Sequence, residues 1–173
     1  MKRWLIALWA LGGIFFLIGR ALWRLSTIAY DGIVNYEVST LQWVVLIIWV
    51  VVSAYSEGYR GFHLKFSPRT AARCWYLADH PRGLPVVLGP LFAMGFFHAN
   101  RKTVLTAYIM VGFVVSAVML MQMLPQPWRG VIDAGVVVGL GLGLLSVLWY
   151  FFRAAFGHAN DLDPCLPKAP TQH

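Results

Sequence analysis

Between Thr103 and Leu124 the chain carries no Asp, Glu, Lys or Arg, and the stretch is long enough to cross a hydrocarbon layer of about 30 Å as a helix. No other feature narrows the choice of fold as far. Lipid offers the backbone no hydrogen-bond partner, so a segment of this kind must satisfy its own amides and carbonyls, and a helix does so. Three more apolar stretches accompany it, at residues 4–23, 38–55 and 131–152. The second contains the run VVLIIWVVV. Its β-branched residues favour a strand in water, but in lipid the backbone argument again selects a helix. Composition agrees: 59% of residues are hydrophobic and 12% charged, against about 45–50% and 25% in soluble domains. The expected fold class is therefore all-α, a polytopic membrane helical bundle of four transmembrane helices in a single integral membrane domain over residues 1–173.

Lys2 and Arg3 precede the first stretch, and Gly19-Arg20-Ala21 imitates a small-x-small cleavage site. The apolar run outlasts the roughly 7–15 residues of a signal segment, so a retained helix is expected. Residues 24–37 read as a short polar connection with a turn at Asp31-Gly32, and Pro125 to Gly130 as a tight turn. Residues 56–83 read as the one long polar loop. Within it Ser67-Pro68 is a favourable helix start, because the hydroxyl caps free amides and proline suits the first turn. The helix would end near His80, before Pro81. Arg69, Arg73 and His80 would share a flank and Trp75 would serve as apolar anchor, making an amphipathic cytoplasmic helix at the headgroup boundary. Arg60, Lys65, Arg69, Arg73, Trp75 and Arg82 are then the expected contacts to anionic lipids or a partner.

Residues 84–97 are apolar but short, and Pro85 and Pro90 interrupt them. That pattern suits a re-entrant or interfacial segment better than a full span. Charge supports the choice. If this segment returns to its own side, Lys2, Arg3, Arg60, Lys65, Arg69, Arg73, Arg82, Arg101, Lys102, Arg153 and Lys168 all face the cytoplasm, and only Arg24 and Arg129 lie outside. A full crossing would move Arg101, Lys102, Arg153 and Lys168 outside, against the positive-inside bias. Both termini are thus expected in the cytoplasm, from a bacterial inner membrane. Residues 157–173, with Pro164, Pro167 and Pro170, read as a flexible tail. The net charge of +7 is read as orientation signal rather than as a nucleic-acid footprint. Cys74 and Cys165 are expected as free thiols on the cytoplasmic side.

Candidate sites are few. Gly135, Gly139 and Gly143 recur at four-residue spacing, which lets a second helix approach closely, from this chain, a membrane-protein partner or a second copy. Phe92-x3-Phe96-x-His98-Ala99-Asn100 recurs as Phe152-x3-Phe156-x-His158-Ala159-Asn160. Ordinary helix capping explains it, since imidazole complements a helix C-terminus and asparagine tolerates the left-handed region. A metal or haem shared by His98 and His158 is the sharper alternative, and no cofactor is expected. Glu57, His63, His80, His98 and His158 form a loose polar set. Arg20 and Asp133 lie toward the same membrane face and are expected as an intramembrane ion pair. No GxSxG, HExxH, P-loop or GxGxxG signature occurs, so no catalytic residue is named.

The leading functional expectation is a non-catalytic accessory, assembly or scaffold subunit. Its rival is a small transporter, or a membrane enzyme acting on a lipid or anionic substrate at the cytoplasmic face. A filled bundle favours the first, and an open polar cavity at residues 84–100 the second.

Overall fold

All regular structure among the described residues is helical, as the backbone argument requires. The computed structural model describes residues 2–81, 83–158 and 163–164, with the backbone alone at 157 and 158. Helix α1 runs Lys2–Val34 and α2 Thr40–Ser53; a π-helical segment, Ala54–Phe66, joins α2 to α3, Ser67–Asp79. Two short helices follow, α4 (Gly83–Val87) and α5 (Gly89–Met94), then α6 (Arg101–Met121) and α7 (Trp128–Arg153), which closes in a π turn over Ala154–His158. Four helices are long and apolar enough to cross a membrane: α1, the continuous helix Thr40–Asp79, α6, and Trp128–Phe156.

Two expected boundaries are corrected. Helix α1 does not leave at Trp23 but persists to Val34. Gly32, expected in a turn, sits inside the helix, where a Cβ would lie 2.8 Å from the Cα of Gly130; the bare backbones let α1 and α7 meet closely there. Asn35 closes the helix by donating its side-chain amide to Asp31 Oδ1 at 2.9 Å. Ser39 then opens α2 in a capping box with Gln42, satisfying two amides that would otherwise be orphaned.

The second correction is larger. Residues 56–79 are not a loop, because the helix continues through Tyr55 to Asp79. Leaving a backbone unpaired beside α7 would cost more than widening the helix, and the π segment keeps its hydrogen bonds internal. Tyr55, Tyr59 and His63 stack along its side, with ring centroids 6.1 and 5.6 Å apart.

The capped start expected at Ser67 is corrected, because the preceding turn is already helical and the buried Ser67 hydroxyl makes no capping bond; nor is α3 an interfacial helix. Arg73, Cys74, Trp75 and Leu77 are all buried. Small residues at Ala71, Ala72, Cys74 and Ala78 let α1 and α7 close around it. Trp75 stacks on Phe151 at 5.1 Å, donates its indole N–H to the Phe151 carbonyl at 3.1 Å, and meets Trp4 edge-on. It therefore anchors the protein interior rather than a lipid surface.

Helices α4 and α5, at five and six residues, are too short to cross. They pack on the same end of α1: Gly89 lies against Ala10 and Pro90 over Gly13, and Trp9 donates to the Val86 carbonyl at 3.1 Å. The core gathers Ile14, Leu77, Phe92 and Phe151 at this end, where Arg3 pairs with Asp79 at 2.6 Å. The opposite end is held by Gly32, Gln126 and Gly130.

Candidate functional site

Helix α6 stands apart. It packs extensively against no other element, and only Thr103 and Ala107, near its start, are buried. Where it diverges from the bundle a cavity of about 610 Å³ opens between α6, α1, the π segment and α7. Each wall follows from helical periodicity. Leu17, Arg20, Ala21, Arg24 and Ile28 share one face of α1, and Arg129, Asp133, Val136 and Leu140 share one face of α7. Ser56, Glu57 and Phe62 come from the π segment, and α6 contributes Met110, Phe113, Val114 and Ala117. On α6 the lining begins near mid-helix at Met110 and ends at Gln122, so the cavity occupies the half of the spans remote from Arg3.

The walls are mostly apolar, yet three arginines and two carboxylates border the space. Asp133 is almost wholly buried, and its Oδ2 lies 3.8 Å from Arg129 Nε. That separation exceeds hydrogen-bond range, and neither atom has another hydrogen-bond partner. Guanidinium groups beside an apolar space can recognise an anion strongly, because low dielectric magnifies every charge interaction.

The expected Arg20–Asp133 ion pair is corrected: among the described residues Asp133 pairs with Arg129, one turn away. The intrahelical partner is closer, while Arg20 stays exposed on α1. Both nevertheless line the cavity, and the structure adds Glu57 to them. Arg24, Arg129 and Gln122 were missed as a group. Their signal was present in the spacing, since Arg20/Arg24 and Arg129/Asp133 are i,i+4 pairs on amphipathic faces of otherwise apolar helices.

The other candidates lie elsewhere. Gly135, Gly139 and Gly143 are buried against the helix Thr40–Asp79, facing Trp49, Glu57 and Phe62 in turn, and Trp49 donates to the Ile132 carbonyl at 3.0 Å. His63 shares a hydrogen bond with Ser146 at 2.9 Å and tilts against Tyr150. His80 stacks on Tyr76. His98 takes φ 49°, so the histidine rather than an asparagine occupies the left-handed position, and Asn100 instead caps α6 by accepting from Thr103 N at 2.8 Å. The side chain of His158 lies outside the described residues, as do Arg82, Cys165 and most of the tail. No group of three or more metal-ligating side chains occurs among the described residues.

Arg60 and Lys65 are exposed, and Arg69 is half-buried with its Nε unbonded. Arg73 is fully enclosed. Its guanidinium donates to the carbonyls of Phe92, Phe97 and His98 at 2.6, 2.8 and 3.2 Å, and lies over the Phe92 ring at 4.2 Å. It thus adds a second donor to the Phe92 carbonyl, which already receives the Gly95 N–H at 3.0 Å, serves Phe97 and His98 just beyond the end of α5, and also reaches the Pro164 carbonyl at 3.1 Å. The anionic-lipid role expected for Arg73 and Trp75 is therefore replaced by an internal one. Within residues 84–100, Phe92 and Ala93 are buried in the core.

Comparison with known protein families, curated proteins and solved structures finds no match to this chain.

Proposed function

We propose that the chain is a membrane carrier or lipid-handling protein that takes an anionic ligand into the bilayer interior. The observation that carries this reading is the mostly apolar cavity bordered by Arg20, Arg24 and Arg129. Ionisable groups are expensive at membrane depth and gather where a substrate path needs them. The site belongs to the half remote from Arg3, rather than to the basic end where a ligand was expected. With positive-inside charge the termini face the cytoplasm of a bacterial inner membrane, and the cavity faces the opposite leaflet.

A second reading, an accessory or assembly subunit, draws on α6. Its exposed apolar length offers a partner helix a surface, and no acid–base constellation argues for catalysis.

Ligand-linked stability separates the two. A ligand at a hundredfold excess over its Kd stabilises the folded state by about 2.7 kcal/mol. Purified protein in a neutral detergent should unfold at higher temperature with acidic lipid, organic phosphate or inorganic phosphate than with neutral lipid. If none of these anions raises the midpoint, the carrier reading fails and the subunit reading stands.

A further inference from the structure

Resting on the carrier reading, we infer that Glu57 binds a proton inside the cavity and that this proton is coupled to the anion, so that the two are taken up together. Glu57 lines the space. Among the described residues it makes no hydrogen bond or salt bridge, and neither of its oxygens is enclosed by protein. Asp133, by contrast, holds its Oδ2 sealed beside Arg129.

The packing fixes the depth of the carboxylate. Glu57 belongs to the π segment Ala54–Phe66 and rests on α7 at Gly139, where a Cβ would lie 2.9 Å from its Oε2. Gly139 is near the middle of Trp128–Arg153, so the carboxylate stands near mid-span. The bare backbone at residue 139 provides the seat but no donor, because the amides of α7 are spent within the helix. A carboxylate at this depth without a counter-ion is costly as a charge, and a proton or an arriving cation neutralises it.

The charges around Glu57 supply the coupling. From the other walls of the cavity α1 presents Arg20 and Arg24, α7 presents Arg129 with Asp133, and α6 presents no ionisable group among its lining residues. The helix that carries Glu57 adds Tyr59 and Arg60, both exposed, and His63, which shares its hydrogen bond with Ser146. An anion drawn to the arginines enters the same low-dielectric space as Glu57. A deprotonated Glu57 repels it, and a protonated one does not. Each partner therefore favours binding of the other, and the preference is reciprocal.

The test uses the full chain. In phosphatidylcholine nanodiscs, infrared difference spectra taken on acidification should show a carboxylic acid C=O band that Glu57→Gln removes and Asp133→Asn retains. In neutral detergent, phosphatidylglycerol keeps its own charge at mildly acid and mildly alkaline pH. It should raise the thermal midpoint at both, with its half-effect at about tenfold lower concentration in acid, an ordinary size for coupling between two sites. Glu57→Gln should respond to the lipid equally at the two pH values, whereas Glu57→Asp and His63→Gln should keep the pH dependence. Midpoints measured without lipid establish that each variant is folded. If phosphatidylglycerol stabilises the protein equally at the two pH values, or Glu57→Gln keeps the dependence, the proton inference is overturned and the carrier reading survives. If the infrared band is missing and sodium, rather than acid, tightens binding, the site takes a metal cation and the proton assignment is overturned. If neither phosphatidylglycerol nor organic or inorganic phosphate has an effect at either pH, both fall.

Discussion

Replacing Arg73 by methionine removes one buried cation and strands the carbonyls that it serves. The side chain is fully buried, so solvent does not soften the effect. Phe92, Phe97 and His98 each lose a hydrogen bond, and bonds to charged groups contribute about 1.5–3 kcal/mol each. Their sum overstates the loss, because the substitution also relieves the desolvation of the guanidinium. Leaving a buried acceptor without its donor costs about 1–3 kcal/mol, so with several carbonyls affected and partial relaxation the expected destabilisation is about 3–5 kcal/mol. For a chain of this length the thermal midpoint should fall by roughly 6–20 °C, read by circular dichroism in mild detergent. Arg73→Lys should fall between the two, since one ammonium cannot match the fork that reaches the carbonyls of Phe92, Phe97, His98 and Pro164. An unchanged midpoint for Arg73→Met would refute the claim that Arg73 closes the end of α5, and would return the residue to a surface role.

Three further outcomes follow from the packing. Gly139→Ile should lower the midpoint, because a Cβ there would lie 2.9 Å from Glu57 Oε2 and 3.2 Å from the Ser53 carbonyl; Gly141→Ile, in open space on the same helix, should not. Equal effects at the two positions would remove the glycine face from the account. Trp75→Ala should destabilise by about 3–5 kcal/mol in chemical unfolding, since the ring fills the core beside Phe151; a loss of vesicle affinity without a loss of stability would contradict this. Alkaline phosphatase fused after Lys102 should be inactive, and fused after Gln122 active, because α6 crosses between them; the reverse pattern would invert the topology.

Much of the architecture was legible in the sequence because lipid allows few alternatives. The apolar runs announced four long helices, and Pro85 and Pro90 announced a segment too broken to cross. The polar residues between Ser56 and Lys65 misled. In water Glu57, Arg60 and Lys65 would mark a loop, but here the partner helix presents glycines at 135, 139 and 143, and the chain stays helical against them. Arg73 misled similarly: its charge reads as surface until Phe92 of α5, Phe97 and His98 beyond it, and Pro164 supply carbonyls to receive it. Those partners lie 19 to 91 residues away, beyond any local pattern. The cavity was half visible. Arg20, Asp133 and Glu57 were each conspicuous, but their convergence depends on how α6 diverges from the bundle, which no periodicity encodes.

The most direct measurement of the central claim is the aqueous accessibility of the α7 face that lines the cavity. In chains with Cys74→Ala and Cys165→Ser, a cysteine at Val136 lies in the cavity wall, whereas Val138, at nearly the same depth, does not line it. In nanodiscs a charged, membrane-impermeant thiol reagent should modify Val136→Cys, and acidic lipid should slow that reaction, while Val138→Cys stays unreactive. Equal reactivity at the two positions, or none at Val136→Cys, would contradict a ligand-accessible cavity within the membrane.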